Sequence, residues 1–90
     1  VISTISNIAP KQTSQMIHHY IAGELETAKE IQLAQIPLIQ VIFSEVNPVP
    51  VKKAVGLLKG IETNYRLPLG QPEDETVANL QKEMTAYGLL

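Results

Sequence analysis

The residues of this chain that could do chemistry are few and lie far apart in the sequence. Ser3, Ser6 and Ser14 are candidate nucleophiles, but no motif links them to a histidine and an acid in a hydrolytic triad. The chain contains no cysteine, so it offers no thiolate nucleophile, thiolate metal site or disulfide framework. Its glycines stand singly, and no glycine-rich loop that would cradle a phosphate is present.

The two histidines, His18 and His19, are neighbours within a predicted helix. Adjacent helical residues point about 100° apart, so these side chains cannot bind one metal ion from the same face. No acidic residue or cysteine stands three or four positions after either of them. The spacing therefore favours surface histidines over metal ligands.

Two basic side chains remain as candidates. Lys52 is the kind of amine that forms a Schiff base, but that role requires desolvation or a neighbouring cation, and the adjacent Lys53 points away from it. Arg66 is a candidate anion-binding residue, although a surface arginine paired with a carboxylate is the simpler interpretation. We therefore predict a solvated basic face and no catalytic residue, cofactor-binding residue or metal ligand in this chain.

Length, charge and composition limit the class of protein further. A chain of 90 residues forms one small domain and buries only about 60–65% of its unfolded surface. The net charge of −2, the lack of a basic run and the 4% aromatic content argue against nucleic-acid binding. No apolar run reaches the ~18 residues of a membrane span, and no leader peptide is visible. We expect no nucleic-acid or membrane partner, and the lack of cysteine suits a reducing, cytoplasmic location.

The segment Asn47–Lys53 organises the predicted elements. Pro48 and Pro50 each fix a backbone angle and remove a donor, so no helix can run through this point. Pro50 is well placed as the first residue of a new helix, which Gly60 ends. The apolar stripe of that helix consists of Val51, Ala54, Val55 and Leu58. Its other side carries Lys52, Lys53, Gly56 and Lys59.

Two more helices are predicted towards the ends of the chain. The first covers about 10–22 and is ended by Gly23, with an apolar stripe of Met16, Ile17, Tyr20 and Ile21. The last begins near Pro72 and is closed by Gly88, and its stripe is predicted to be core: Val77, Leu80, Met84 and Tyr87. Residues 61–70 between the third and last helices form an extended connector.

The long second helix, from Glu24 to Phe43 or Ser44, differs between its halves. Its first half is amphipathic, whereas its second half is apolar around nearly the whole circumference, and Pro37 is predicted to kink it without breaking it. Three short neighbours could hardly cover so many apolar faces, so we expect either missing chain or another subunit to pack there. We predict a self-associated assembly with the contacts Ile36, Ile39, Ile42 and Phe43.

The first six residues, Val1–Ser6, alternate in a β-branched, serine-rich pattern that predicts a strand. No second strand is visible for it to pair with, and a lone strand leaves its backbone groups unsatisfied. Either this terminus is extended or disordered, or the chain is a piece of a larger protein cut within a strand.

Several runs of residues, taken in order along the whole chain, resemble the dihydrodipicolinate synthase family. Two of them are similar to the end of its last barrel strand and the following turn: Val1-Ile2-Ser3 and Asn7-Ile8-Ala9-Pro10. The family's proline-kinked helix is similar to Ile36-Pro37-Leu38 with Phe43, and its proline signature is similar to Asn47-Pro48-Val49-Pro50-Val51-Lys52. Its final connector is similar to Arg66-Leu67-Pro68-Leu69, and its last residues are similar to Gly88-Leu89-Leu90. The proline signature is the most specific of these runs.

The resemblance implies an all-α, four-helix C-terminal fragment of a (β/α)8 barrel lyase, with a short N-terminal strand remnant. Residues 1–23 would be the remnant of the last barrel strand and its helix, and residues 24–90 a C-terminal helical extension. The parent enzyme would condense pyruvate with aspartate semialdehyde on the route to diaminopimelate and lysine. Its Schiff-base lysine would lie upstream, because Lys52 matches the signature lysine and not the nucleophile. The fragment alone is expected to be inactive.

Two other interpretations stay open. Related pyruvate-dependent aldolases, such as N-acetylneuraminate lyase, share the barrel but fit the proline signature less well. An independent, all-helical protein-interaction module is the second. The reading frame distinguishes them, since a barrel with a Schiff-base lysine should lie directly upstream of Val1 only in a lyase.

Overall fold

The computed structural model describes residues 2–90, and their regular structure is entirely helical. A short 3-10 helix at Ile5–Asn7 precedes four α-helices, which are α1 (Pro10–Ile21), α2 (Leu25–Ile42), α3 (Val49–Lys59) and α4 (Asp74–Tyr87). The predicted all-α fold with four helices is confirmed. None of the helices within residues 2–90 combines the length and the apolarity that a membrane span requires.

The strand predicted over Val1–Ser6 is wrong for the described residues, because the chain turns there instead of extending. Val1 itself lies outside the described residues. The Ser6 amide donates to the Ser3 hydroxyl oxygen at 3.2 Å, and the Ser6 hydroxyl donates to the Ser3 carbonyl at 3.0 Å. Serine side chains that bond nearby backbone groups favour turns over ladders. The turn brings Ile5 into the core, where it is 7% exposed.

The glycines predicted to end helices do so in the left-handed conformation. Gly23, Gly60 and Gly88 have φ angles of 82°, 67° and 90°. After α1 the Glu24 amide donates to the His19 carbonyl at 2.8 Å, which satisfies one of the carbonyls that a helix end leaves unpaired. These stops separate α1 from α2 and α3 from the connector that follows it.

Two prolines lie at helix starts, as predicted, and a third lies inside a helix. Pro10 is the first residue of α1, and Pro50 lies in the first turn of α3, which begins one residue earlier at Val49. Pro37 lies inside α2, which continues through it without a break. The kink expected near Pro37 stays a prediction. The last helix begins at Asp74, two residues after Pro72.

The core lies where α2 and α4 meet, with α3 and the 3-10 helix against them. The four largest fully buried apolar side chains come from these two helices: Leu38 and Ile42 from α2, and Leu80 and Met84 from α4. Burying one such side chain is worth about 1.5–3 kcal/mol. The predicted core stripe of α4 is therefore confirmed at its centre, while Val77 and Tyr87 at its edges are half-buried.

The stripe predicted for α1 is only partly buried. Tyr20 and Ile21 are 66% and 75% exposed, and Met16 and Ile17 are half-buried. The residue that α1 buries is Thr13. Thr13 contacts the buried Gln35 of α2, whereas Tyr20 in the last turn of α1 lines an open groove beside Leu25 and Ala28.

The sequence predicted that Gly56 lies on an open basic face with the lysines, and this prediction is wrong. It is buried, and a Cβ atom placed there would be 2.6 Å from the Thr63 methyl group and 3.0 Å from the Ile61 carbonyl oxygen. The missing side chain lets the connector after Gly60 lie directly on α3.

This contact predicts that Gly56→Ala destabilises the chain, although alanine is the better helix former. We expect a loss of about 1–3 kcal/mol in the free energy of unfolding, because the added methyl group forces the connector away. Urea unfolding followed by circular dichroism measures it. Gly70→Ala is the control, since nothing lies within 4 Å of a Cβ there and the substitution should be nearly neutral. Equal stability of Gly56→Ala and the wild-type chain would contradict the contact.

Candidate functional site

The structure does not bring the candidate catalytic side chains together. Ser3 and Ser6 bond to each other within the N-terminal turn, and Ser14 is exposed on α1. Within residues 2–90 no three or more histidine, cysteine, aspartate or glutamate side chains are grouped so that they could hold a metal ion.

The histidines lie at the C-terminal end of α1. His18 is exposed, and the Nδ1 atom of His19 lies 3.3 Å from a carboxylate oxygen of Glu24 across the turn. Both partners of this pair are well exposed, so its contribution to stability is small.

Arg66 is exposed but does not form the ion pair that the sequence predicted. Among the described residues no carboxylate oxygen lies within 4 Å of its guanidinium group. Its carbonyl accepts a hydrogen bond from the Leu69 amide at 2.8 Å, which closes a turn with an exposed tip.

Lys52 has specific partners, which corrects its interpretation as part of a purely solvated face. Its ammonium group donates a hydrogen bond to the carbonyl oxygen of Asn64, and it lies 5.1 Å from the centre of the Tyr65 ring. The Tyr65 hydroxyl in turn lies 3.0 Å from the Thr63 hydroxyl. A cation over an aromatic face is stabilised by the ring quadrupole. Lys52 therefore joins α3 to the connector.

A second charged contact joins two distant parts of the chain. A carboxylate oxygen of Glu45, just after α2, accepts a hydrogen bond from the Glu73 amide at 2.9 Å. Glu73 is the residue before α4, and a negative charge at a helix N-terminus is favourable. Glu45 thus helps to fix the start of α4.

A buried polar pair joins α1 to α2. The Gln35 side-chain amide donates to the Thr13 hydroxyl at 3.3 Å, and Gln35 is 0% exposed. The side-chain carbonyl of Gln35 has no hydrogen-bond partner. Such an unpaired buried acceptor is costly, which makes this pair sensitive to any change in Thr13.

Two shallow apolar grooves lie on the surface of α2. The larger, about 430 Å³, lies between the end of α1 and the start of α2, with walls that include Tyr20, Leu25 and Ala28. The other, about 370 Å³, lies between α2 and α4 beside Pro37 and Tyr87. Neither groove has the convergent polar groups that orient a substrate.

The chain is similar to a family of known enzymes over nearly its whole length. A model of the dihydrodipicolinate synthetase family matches residues 1–87. The 4-hydroxy-tetrahydrodipicolinate synthase of Lachnoclostridium phytofermentans is 42% identical over 91 residues, which cover 100% of this chain and 31% of that protein. The corresponding enzyme of Thermotoga maritima is 41% identical over 90 residues, with the same coverage.

Solved structures agree in shape as well as in sequence. The crystal structure of dihydrodipicolinate synthase from Thermotoga maritima matches with a TM-score of 0.96 at 41% identity, over 100% of this chain and 30% of that one. A structure described as the first monomeric variant of dihydrodipicolinate synthase matches with the same score, identity and coverage. The chain belongs to the dihydrodipicolinate synthetase family and spans about a third of the length of the curated relatives it matches. Its four helices match the C-terminal part of such a barrel enzyme.

Sequence reasoning missed three of the contacts above, and only one had a visible indication. The polar Gln35 stood out within an apolar half-helix, although nothing in the sequence identified Thr13 as its partner. The contacts of Lys52 with Asn64 and of Glu45 with Glu73 join residues 12 and 28 positions apart, where no periodic pattern operates.

The buried pair predicts a non-additive response to substitution. Thr13→Val should lower the free energy of unfolding by about 1–2 kcal/mol, because both polar atoms of Gln35 are then unpaired. The double substitution Thr13→Val/Gln35→Leu should recover most of that loss, since no polar atom of either side chain remains. Urea unfolding of the four variants in the cycle measures this. Additive effects would show that the two side chains do not depend on each other.

Proposed function

We propose that this chain is the C-terminal helical portion of a 4-hydroxy-tetrahydrodipicolinate synthase whose reaction is carried out by residues outside it. The observation that carries the proposal is the alignment of all 90 residues with less than a third of the relatives' length, at a TM-score of 0.96. The proposed parent enzyme condenses pyruvate with aspartate semialdehyde through a Schiff-base lysine, in the cytoplasm, on the route to diaminopimelate and lysine.

The proposed division of labour assigns no catalytic, cofactor-binding or metal-binding residue to this chain. Lys52 lies within the proline signature, but its side chain is exposed and contacts the Asn64 carbonyl and the Tyr65 ring. A Schiff-base amine must instead be available in its neutral form within a desolvated pocket. These contacts support a structural role for Lys52.

The proposed boundary lies at Gly23, with residues 1–23 as the remnant of the last barrel strand and its helix and residues 24–90 as the extension. The left-handed turn at Gly23 supports a break between the two segments. The segments also share one core, because Ile5, Ile8 and Ala9 are buried together with Leu38 and Ile42. We therefore propose that the extension is a continuation of the barrel's packing.

Trapping with borohydride tests the proposed absence of a nucleophile. Incubated with pyruvate and borohydride, the 90-residue chain should acquire no adduct, because it lacks an activated amine. The full polypeptide encoded by the same reading frame should acquire one adduct, which peptide mapping places upstream of Val1. Mass spectrometry reads both outcomes. A stoichiometric adduct on Lys52 would contradict the proposal that this chain lacks the nucleophile. A reading frame without an upstream barrel would contradict the proposal that the parent protein is a synthase.

We also propose that the chain associates with itself when it is isolated. The sequence predicted Ile36, Ile39, Ile42 and Phe43 as contacts, and one of these requires correction. Ile42 is 0% exposed because it is part of the hydrophobic core, and Ile39 is half-buried. Ile36 and Phe43 remain 37% and 55% exposed.

The exposed contacts form one stripe. Leu33 and Ile36 lie on the outer side of α2, Phe43 follows directly after its last residue at a spacing of seven from Ile36, and Leu33 is 53% exposed. In a symmetric dimer, the stripe of one protomer would pack against the same stripe of the other protomer.

Sedimentation tests this association. The wild-type chain at micromolar concentration should sediment as an oligomer, and Ile36→Lys/Phe43→Lys should sediment as a monomer, because charges on the stripe oppose its burial. Ile61→Lys is the control, since Ile61 is 60% exposed on the connector, away from α2. Monomeric wild-type chain, or dissociation by Ile61→Lys alone, would contradict the proposed contacts.

A further inference from the structure

The connector between α3 and α4, residues 61–73, has little regular structure of its own. It is held at two places by charged side chains from other elements. Near its start the Lys52 ammonium group of α3 meets Asn64 and Tyr65, and at its end Glu45 accepts a hydrogen bond from the Glu73 amide. Between these places the turn at Arg66 carries the exposed Leu67, whose side chain is 92% exposed.

The contacts at the start of the connector reinforce one another. Gly56 lets Thr63 approach α3, the Thr63 hydroxyl lies 3.0 Å from that of Tyr65, and the Tyr65 ring lies under the Lys52 ammonium group. The Tyr65 ring and the Asn64 carbonyl thus contact one positive charge, and Thr63 supports the ring through its hydroxyl. Lys53, the next residue, takes part in none of these hydrogen bonds.

We propose that Lys52 is a positioning residue whose charge clasps residues 63–65 of the connector against α3. Removing the charge removes both the hydrogen bond to Asn64 and the attraction to the Tyr65 ring, and it releases the connector as far as the turn at Arg66. Any modification that neutralises this ammonium group, such as acetylation, acts in the same way. The clasp is a property of this chain and does not depend on the synthase assignment.

The single arginine of the chain provides a direct assay. An arginine-specific protease can cut the wild-type chain only after Arg66, in the turn that the clasp restrains. Cleavage of this bond requires local opening of the connector, so its rate reports the strength of the clasp. Lys52→Met should be cut about tenfold faster than wild type, since it keeps the aliphatic stem and loses the charge.

Two variants separate the charge from the position. Lys52→Arg retains a cation and its donors and should be cut at the Arg66–Leu67 bond within about twofold of the wild-type rate. Its additional cleavage site after residue 52 gives a product of different mass. Lys53→Met removes a neighbouring positive charge from the same helix and should also leave the rate unchanged. Cleavage of Lys52→Met at the wild-type rate, or equal acceleration by Lys53→Met, would overturn the clasp.

Amide hydrogen exchange separates a local clasp from a general loss of stability. In Lys52→Met the amides of Ile61 and Leu69, which donate hydrogen bonds to Gly56 and Arg66, should exchange faster, while those around Leu80 and Met84 in the core keep their protection. The measurement is made on the 90-residue chain and on the longer polypeptide encoded by its reading frame. Equal acceleration in the connector and in the core would mean that Lys52 serves overall stability, which overturns a positioning role.

Discussion

The burial of Leu38 and Ile42 against α4 is the interaction on which the rest of this structure depends. Leu38, Ile42, Leu80 and Met84 are all at most 1% exposed, and they come from helices that are separated by α3 and a long connector. At about 1.5–3 kcal/mol for each buried side chain, this group contributes as much as the whole net stability of a small domain. Loss of this contact would expose Leu38 and Ile42, the two largest buried apolar side chains of α2.

Because α4 packs against α2, the chain between them, which consists of α3 and the connector, must return to α2. The prolines after Asn47 stop the chain from continuing the direction of α2, and α3 then contributes Val51 and Ala54 to the same core. Gly60 ends α3 in a left-handed turn, and the connector returns along α3 because Gly56 leaves room for it. The hydrogen bond from the Glu73 amide to Glu45 fixes the start of α4 close to the end of α2.

Much of this fold could be predicted because it is encoded by single residues. Pro10, Pro50, Gly23, Gly60 and Gly88 act through the backbone angles that they allow, and those constraints hold whatever surrounds them. Periodicity likewise identified α4, whose stripe is central to the core.

What the sequence could not provide is which elements meet, and the wrong predictions follow from that. Tyr20 lies on an apolar stripe yet is exposed, because the facing turn of α2 leaves a groove there. Lys52 was indistinguishable from Lys53 by spacing, and only the return of the connector gives it partners. The strand predicted at the N-terminus followed residue type alone and neglected the capacity of Ser3 and Ser6 to close a turn. The contacts of Lys52, Glu45 and Gln35 could not be predicted for the same reason, since each joins residues that are distant in the sequence.

The chain exposes more surface than a compact monomer of its mass. The accessible area is 6013 Å², whereas a compact monomer of 9.9 kDa is expected to expose about 5,200 Å². The molecule is elongated, with extents of 44 × 24 × 21 Å, because α1 and α2 project beyond the core that α4 closes. The excess is of the same order as the ~800 Å² that one partner buries in a standard interface. The outer stripe of α2 and the groove beside Tyr20 are apolar parts of that excess. Within the 90-residue chain, this apolar side of α2 therefore stays exposed to solvent.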